Sequence, residues 1–519
     1  MIYLGSTSPQ NQNDLQQMEQ TTTLEQYFSE FRNNTIGNHQ TFQSGFGKKK
    51  LVYADWTASG RAYAPIEEYI QNSMLPFMAN THTGTTISGK TMTEAYEEAK
   101  SVVKDHVNAN PDDVLIFCGS GMTGAVNKLQ RLMGLRLPER LMDYLKADHL
   151  SIDESLRPVV FLSHMEHHSN QVSWLETIAT VELILPDAEG QVDIEHFKQL
   201  LKKYKSRKNK ILAITACSNV TGIQTPYHPM AKLIHAQGGL CFVDFACSAP
   251  LIDMDMHPDS TGSHLDAIYF SPHKFLGGPG TAGVLIFNKN IYRNSKPDQP
   301  GGGTLLYTNP WKDREYMQDI EQREDGGTPP ILPGIRVAMC IRLKEKMGSI
   351  HLLKREEELL ERVFDRLSKI ENIEILAGHI KKRLGVFSFI VKGAHHNLIV
   401  KILNDRFGIQ TRGGCSCAGT YGHWLMNISK DQSYKILNMI RSGDLSGKPG
   451  WIRLSIHPTM TNREITFITD AIELTAKHYP EWKADYTYEA ESNEFIFTKQ
   501  PEGNRSIAKN WFDPSSWDH

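Results

Sequence analysis

Residues 267–280, Ala-Ile-Tyr-Phe-Ser-Pro-His-Lys-Phe-Leu-Gly-Gly-Pro-Gly, set a short apolar run against Ser271, His273, Lys274 and a glycine-rich segment. An amine at the end of a buried strand is poorly solvated, and a desolvated lysine is suited to form a Schiff base with a carbonyl cofactor. The same letters could describe a surface lysine in a flexible turn. The rest of the chain has to decide between the two.

Outward from Lys274, short apolar runs alternate with amphipathic helical patterns. Strands are expected at Val114–Phe117, Val159–Leu162, Val181–Leu185, Ile211–Thr215, Leu240–Val243, Ala267–Phe270 and Gly283–Phe287, with helices between them. Continuously apolar strands separated by helices predict a sheet buried on both faces and largely parallel, hence an α/β fold with a seven-stranded type of large-domain sheet. Pro329-Pro330 and Pro333-Gly334 punctuate the chain, and a long charged helix is expected from about Val337 to Ile370. Beyond it, strands at Glu374–Leu376, Val386–Val391 and Trp451–Ile456, with helices near 398–405, 434–440 and 465–477, predict a smaller α+β domain. The expected layout is a disordered extension (1–22), an N-terminal arm packing on the small domain (23–79), a large domain (80–335), a small domain (336–480) and a C-terminal extension (481–519) with no assignable role.

The chain has 519 residues, 40% of them hydrophobic, and 56 Lys plus Arg against 59 Asp plus Glu. That near balance argues against a nucleic-acid partner and against global disorder. Seven cysteines, an odd number lying mostly in apolar strands, do not form a secreted disulfide framework. With no targeting pattern and no run long enough to span a bilayer, a cytoplasmic protein with no membrane partner is expected.

Several other stretches carry chemistry. Asp244 ends the strand Leu240–Val243, so its carboxylate faces the cleft beyond the carboxyl ends of the strands, where it could hold a pyridinium nitrogen protonated. Met165-Glu-His-His-Ser-Asn170 puts His167 or His168 at another strand's carboxyl end, able to stack on a flat ring or shuttle protons. Cys118-Gly-Ser-Gly-Met-Thr123 lies at a strand-to-helix junction, where backbone amides bind phosphate, and Gly301-Gly-Gly-Thr304 is a second phosphate candidate. Arg412-Gly-Gly-Cys-Ser-Cys417 places two thiols in a glycine-rich loop near a guanidinium, an arrangement that favours a nucleophilic thiolate. Arg453 is suited to grip an α-carboxylate. No metal site is expected, because adjacent histidines point apart and no second cysteine pair follows Cys415 and Cys417.

Together these motifs resemble the class V aminotransferase family of fold type I pyridoxal phosphate enzymes, and within it the cysteine desulfurase and selenocysteine lyase branch, over residues of about 50 to 478. The resemblance implies Lys274 as the Schiff-base lysine, Asp244 as the pyridinium-binding aspartate and His167, rather than His168, as the stacking histidine. It implies a phosphate held by Met122, Thr123, Ser271 and His273, with Thr304 reaching it from a neighbouring subunit, and Asn219 facing cofactor or substrate. His82, Arg412 and Arg453 become substrate-binding residues, and Cys417 the persulfide-forming nucleophile. The implied cofactor is pyridoxal 5'-phosphate, the partners an amino-acid substrate and a protein sulfur acceptor, and the assembly a homodimer. Two departures concern the site: Cys247 stands where the family usually has Gln, and Cys415-Ser416 where the desulfurase branch often has His-His. The expected activity is release of sulfur from cysteine, or a related amino acid, through a Cys417 persulfide, leaving alanine. The alternatives are another class V reaction (transamination, epimerisation or a kynureninase-like cleavage) and a catalytically silent scaffold.

Overall fold

The protein, seen in a computed structural model, is described here at residues 23–81, 83–144, 152–499, 508 and 511–517. The expected extension at 1–22 lies outside the described residues.

Seven strands build the large sheet: β1 (Asp113–Cys118), β2 (Val159–Ser163), β3 (Thr180–Ile184), β4 (Lys210–Thr215), β5 (Leu240–Asp244), β6 (Ala267–Phe270) and β7 (Gly283–Asn288). Their spatial order is β1-β7-β6-β5-β4-β2-β3. Only β7 runs against its neighbours, β1 and β6; the remaining pairs are parallel. This is the mixed, mostly parallel sheet that the sequence led one to expect for the large domain. The apolar runs explain it, since the pleat sends successive residues to opposite faces and both faces are covered. Leu115, Phe161, Leu212, Val243 and Ile286 join one buried cluster, while Ile116, Val160, Ala213, Phe242 and Leu285 join the other.

Helices α1 (Ile87–His106), α2 (Gly121–Leu132), α3 (His168–Leu175), α4 (Ile194–Lys203) and α5 (Tyr227–His235) precede or connect these strands. Because β1, β2, β4, β5 and β6 share one direction, their carboxyl ends open on a single edge of the sheet. The turns after them carry Ser120, His167, Cys217, Cys247 and Lys274.

The single helix expected over 337–370 is two: α6 (Ile331–Met347) and α7 (Ser349–Leu367). Gly348 separates them with φ 75°, a left-handed conformation that glycine adopts without a Cβ penalty. Pro333 and Gly334 sit inside the first turn of α6, where the missing proline N–H has no helical partner to lose. Helix α6 packs along α1. Helix α7 packs along α10 (Asn462–Trp482), and Phe364 meets Phe387 edge-on at 4.8 Å.

A four-stranded antiparallel sheet follows, β8 (Ile373–Ile375), β9 (Val386–Val391), β10 (Arg412–Gly414) and β11 (Trp451–Ser455), in the order β8-β9-β11-β10. Between β10 and β11 lie α8 (Gly419–Leu425) and α9 (Lys430–Arg441). The N-terminal strand Val52–Tyr53 pairs in parallel with Ile409–Gln410, and Asp55 bridges to Ser455. The chain after 480 gains order as a hairpin, Tyr486–Glu489 with Glu494–Phe497, whose Phe497 ring packs on Phe46 at 4.8 Å. Among the described residues no helix is long and apolar enough to cross a membrane.

Candidate active site

Beyond the carboxyl edge of the large sheet is a cavity of about 230 Å3. It is lined by Met122, Thr123, His167, Asn219, Asp244, Ser271, His273, Lys274, Arg412, Cys417 and Arg453, residues spread over more than three hundred positions. Thr304 stands apart: it is fully buried, and its hydroxyl donates to the Gly301 carbonyl at 2.7 Å. His82 lies outside the described residues.

Lys274 ends a short turn, Pro272–Lys274, that follows β6. Burial lowers the ammonium's pKa from its ordinary value, opposed by Cys247 and Asp244. Asp244, one strand away, accepts a hydrogen bond from Ala246 N–H at 2.8 Å. Burial pushes this carboxyl up to about 6, with the Ala246 N–H and Lys274 pulling it the other way.

His167 caps α3, its Nδ1 accepting from Ser169 N–H at 3.1 Å, so the proton of the neutral ring sits on Nε2. Burial, then Lys274, holds its pKa down to about 3. His168 turns away from it, the ring centroids 6.4 Å apart. Its Nε2 accepts from Gly419 N–H at 2.8 Å and its backbone N–H donates to the Cys417 carbonyl at 2.7 Å. Adjacent histidines committed in this way do not chelate a metal together.

At the start of α2, Ser120 makes no side-chain bond to the first-turn amides. Met122 N–H donates to Ser271 Oγ at 2.8 Å, and the Thr123 and Ser169 hydroxyls share a 2.7 Å hydrogen bond. Burial, then Lys274, lowers His273 to about 4. Amides, hydroxyls and a helix N-terminus thus converge at one end of the cavity, as a phosphate requires. Among the described residues, Oδ1 of buried Asn219 in the same lining has no partner, an acceptor awaiting a donor. With Asp244 and the flat His167 lining the same cavity, this donor set fits pyridoxal phosphate.

Sequence reasoning missed Asp55 and Glu166. Asp55 lies between Arg453 and Arg412 at 2.8 and 3.0 Å, and Thr57 and Ala58 line the cavity behind it. The polar run Asp55-Trp-Thr-Ala-Ser after a strand was the available signal. Glu166, buried beneath His167, accepts from Thr215 N–H at 3.0 Å and Asn170 Nδ2 at 2.7 Å, and burial pushes it to about 7. Cys247, the departure noted in the sequence, lines the cavity beside Cys217, and each thiol donates to the Ser218 carbonyl at 3.6 Å.

Cys417 reaches the cavity from the tip of a tight turn. Ala418 N–H donates to the Cys415 carbonyl at 3.0 Å, and Ser416 and Cys417 both have left-handed backbone, φ 50° and 56°. Asn219 Nδ2 ties this turn to the large sheet by donating to the Ser416 carbonyl at 2.7 Å.

A family model for aminotransferase class-V matches residues 52–468. The chain belongs to the class V aminotransferase family. As a member it is a pyridoxal-phosphate-dependent enzyme, similar to cysteine desulfurases. It is 29% identical over 402 residues to a probable cysteine desulfurase of Staphylococcus aureus (strain COL), covering 76% of this chain and 90% of that one. A probable cysteine desulfurase of Halalkalibacterium halodurans is 29% identical over 383 residues, 72% of this chain and 86% of the relative. Among solved structures, the apo cysteine desulfurase of Thermococcus onnurineus NA1 superposes with TM-score 0.67 at 24% identity, over 86% of this chain and 98% of that one. The Escherichia coli cysteine desulfurase CsdA gives 0.64 at 21%, over 87% and 98%. These two superpositions show that the chain shares their fold.

Proposed function

We propose that this class V enzyme is a cysteine desulfurase that removes sulfur from cysteine, or a closely related amino acid, and releases alanine. One observation carries the reading: Cys417 lines the same cavity as Lys274, Asp244 and Arg453.

Pyridoxal phosphate, when bound, supplies an electron sink for bonds made and broken next to the substrate α-carbon. The amides of the first turn of α2, with Thr123, Ser271 and His273, would hold its phosphate; Asp244 would keep a proton on the ring nitrogen, and His167 would stack on the ring. Arg453 grips the substrate carboxylate, with Arg412 beside it. Lys274 Nζ takes and returns protons. Cys417 Sγ attacks the substrate sulfur; the Sγ–S bond forms as the substrate carbon–sulfur bond breaks, and a proton delivered to that carbon completes alanine. The thiol and cysteine together become the Cys417 persulfide and alanine, with no external oxidant.

The large domain (80–335) supplies the cofactor side of the cleft and the small domain (336–480) the clamp and nucleophile. A homodimer and a protein sulfur acceptor belong to the same reading. Exposed Leu306, Tyr307 and Trp311, on and between the paired strands Leu305–Thr308 and Arg314–Tyr316, support a second copy as neighbour. All seven cysteines are free, as a reducing compartment keeps them.

A panel of amino acids assayed for sulfide, alanine and keto-acid products tests the assignment. Cys417→Ser should retain the cofactor and lose sulfide release. Full sulfide release from that variant, or keto acid as the main product of the wild type, would replace the reading with another class V reaction.

A further inference from the structure

The two cysteines of the loop open into different cavities. Cys417 lines the cavity of Lys274, whereas Cys415 lines a neighbouring one of about 250 Å3, walled by Ile436, Leu437, Ile440 and Pro449 with Lys448 at its edge. A single tight turn, closed by the Ala418 N–H to Cys415 carbonyl bond, separates the two thiols. Cys415 and Cys417 are the first and third residues of this turn, so their Cα atoms, two peptide steps apart, lie within about 7 Å of each other. Cysteines whose Cα atoms stand about 4.4–6.8 Å apart can bond through sulfur. Sulfur carried on Cys417 is therefore within reach of Cys415 Sγ.

The second cavity has a lining suited to a ligand. Beside the apolar walls, the Lys448 ammonium, the His423 imidazole and the Ser433 hydroxyl line it, with buried Trp451 behind. Apolar walls with an ammonium and two polar side chains suit a small molecule with an apolar body and an anionic group.

We propose that Cys415 is a second sulfur carrier, which takes the outer sulfur from Cys417 and presents it in this cavity to a low-molecular-weight thiol bearing an anionic group. The inference rests on the persulfide reading of Cys417 above. The Cys415 thiolate attacks the outer sulfur of the Cys417 persulfide; a new sulfur–sulfur bond forms at Cys415, the bond to Cys417 breaks, and Cys417 leaves as thiolate to take up the proton that Cys415 gave. The acceptor thiolate then attacks the same outer sulfur, freeing Cys415 and carrying the sulfur away as its own persulfide. Each step exchanges one sulfur–sulfur bond for another, so no oxidant or reductant is consumed. The two cavities divide the labour: one admits the amino acid, the other the acceptor.

The test uses the holoenzyme, rapidly quenched after mixing with cysteine, alkylated, and mapped by tandem mass spectrometry while burst alanine is counted. The wild type should carry one extra sulfur on each of Cys415 and Cys417 and form two alanines per chain in the burst. Cys415→Ser should carry one, on Cys417, with one alanine. A wild type that loads sulfur on Cys417 alone, or a Cys415→Ser protein that still forms two alanines, overturns the relay while leaving the desulfurase reading in place. No sulfur on either cysteine overturns both. For the acceptor cavity, 4-mercaptobenzoate is the probe: it should discharge Cys415 at least tenfold faster in the wild type than in Ile436→Trp, in which both cysteines still load. Equal discharge in the two proteins overturns the assignment of that cavity.

Discussion

Asp55 Oδ1 accepts a hydrogen bond from Arg453 Nη2 at 2.8 Å, so the guanidinium assigned to the substrate carboxylate is already paired with a carboxylate of the chain's own. Arg453 is almost fully buried, and a buried guanidinium stripped of its partner is costly, by about 3–5 kcal/mol where one member of a pair is removed. Asp55→Asn should therefore unfold at lower temperature than the wild type. The freed guanidinium should also bind an incoming carboxylate more strongly. Thermal melts with and without alanine check both, with the larger alanine-induced stabilisation expected in the variant.

Asp244 gives a pH dependence with a defined sign. In cofactor-free protein its carboxyl is raised from 3.8 to about 6 by burial. An acid raised in the folded state contributes stability that is fully present below its unfolded value and lost as pH rises through the folded one. Relative to Asp244→Asn, the cofactor-free wild type should lose about 3 kcal/mol between acid and mildly alkaline pH. Denaturant unfolding of both proteins across that range measures it; parallel profiles would contradict the assignment. Bound cofactor, pairing its ring nitrogen with the ionised carboxylate, should flatten the difference.

His168 holds the Cys417 turn from two sides, through Gly419 N–H and the Cys417 carbonyl. The Cys417 carbonyl bond uses the backbone of His168, so His168→Ala removes only the imidazole anchor. Misplacement of a reacting atom by about an ångström can cost a hundredfold in rate. Alanine formation in His168→Ala should fall ten- to a hundredfold on that scale, about the same in kcat as in kcat/KM. His168→Asn, which keeps an acceptor, should recover part of the loss in stopped-flow traces.

Gly60 brings the N-terminal segment against the lysine turn. Its N–H donates to the His273 carbonyl at 2.8 Å, and a Cβ on it would meet the Phe275 carbonyl oxygen at 1.8 Å. Gly60→Ala must push apart backbone that cannot yield like a side chain, at a cost of about 1–3 kcal/mol. A lower melting temperature together with weaker cofactor retention is the expected result, read by calorimetry and by cofactor released on gel filtration.

The large sheet was legible because its central strands are apolar almost without interruption, a pattern that a sheet covered on both faces produces; only the edge strand β3, with Glu182, departs from it. The cavity was legible wherever a motif ends one of those strands, as at Asp244, His167 and Lys274. Asp55 was not, because its role comes from Arg453, almost four hundred residues away, and no local pattern records such a contact. Glu166 stood next to the histidine that drew attention, but burial under the sheet edge makes it matter. The left-handed backbone of Ser416 and Cys417 was hidden as well: Gly413 and Gly414 advertise a flexible loop just before them, while the residues that bear the unusual torsions are not glycine. The break at Gly348 lay inside an otherwise continuous helical pattern, where a lone glycine is often tolerated.

The pairing of Val52–Tyr53 with Ile409–Gln410 bears on how such a protein can be inherited. The carboxylate between the arginines is encoded well before the lysine, and the arginines well after it. An exchange of coding segments between relatives that swapped only the front would pass on a complete cofactor pocket with a mismatched clamp. Front and back are therefore expected to change in concert.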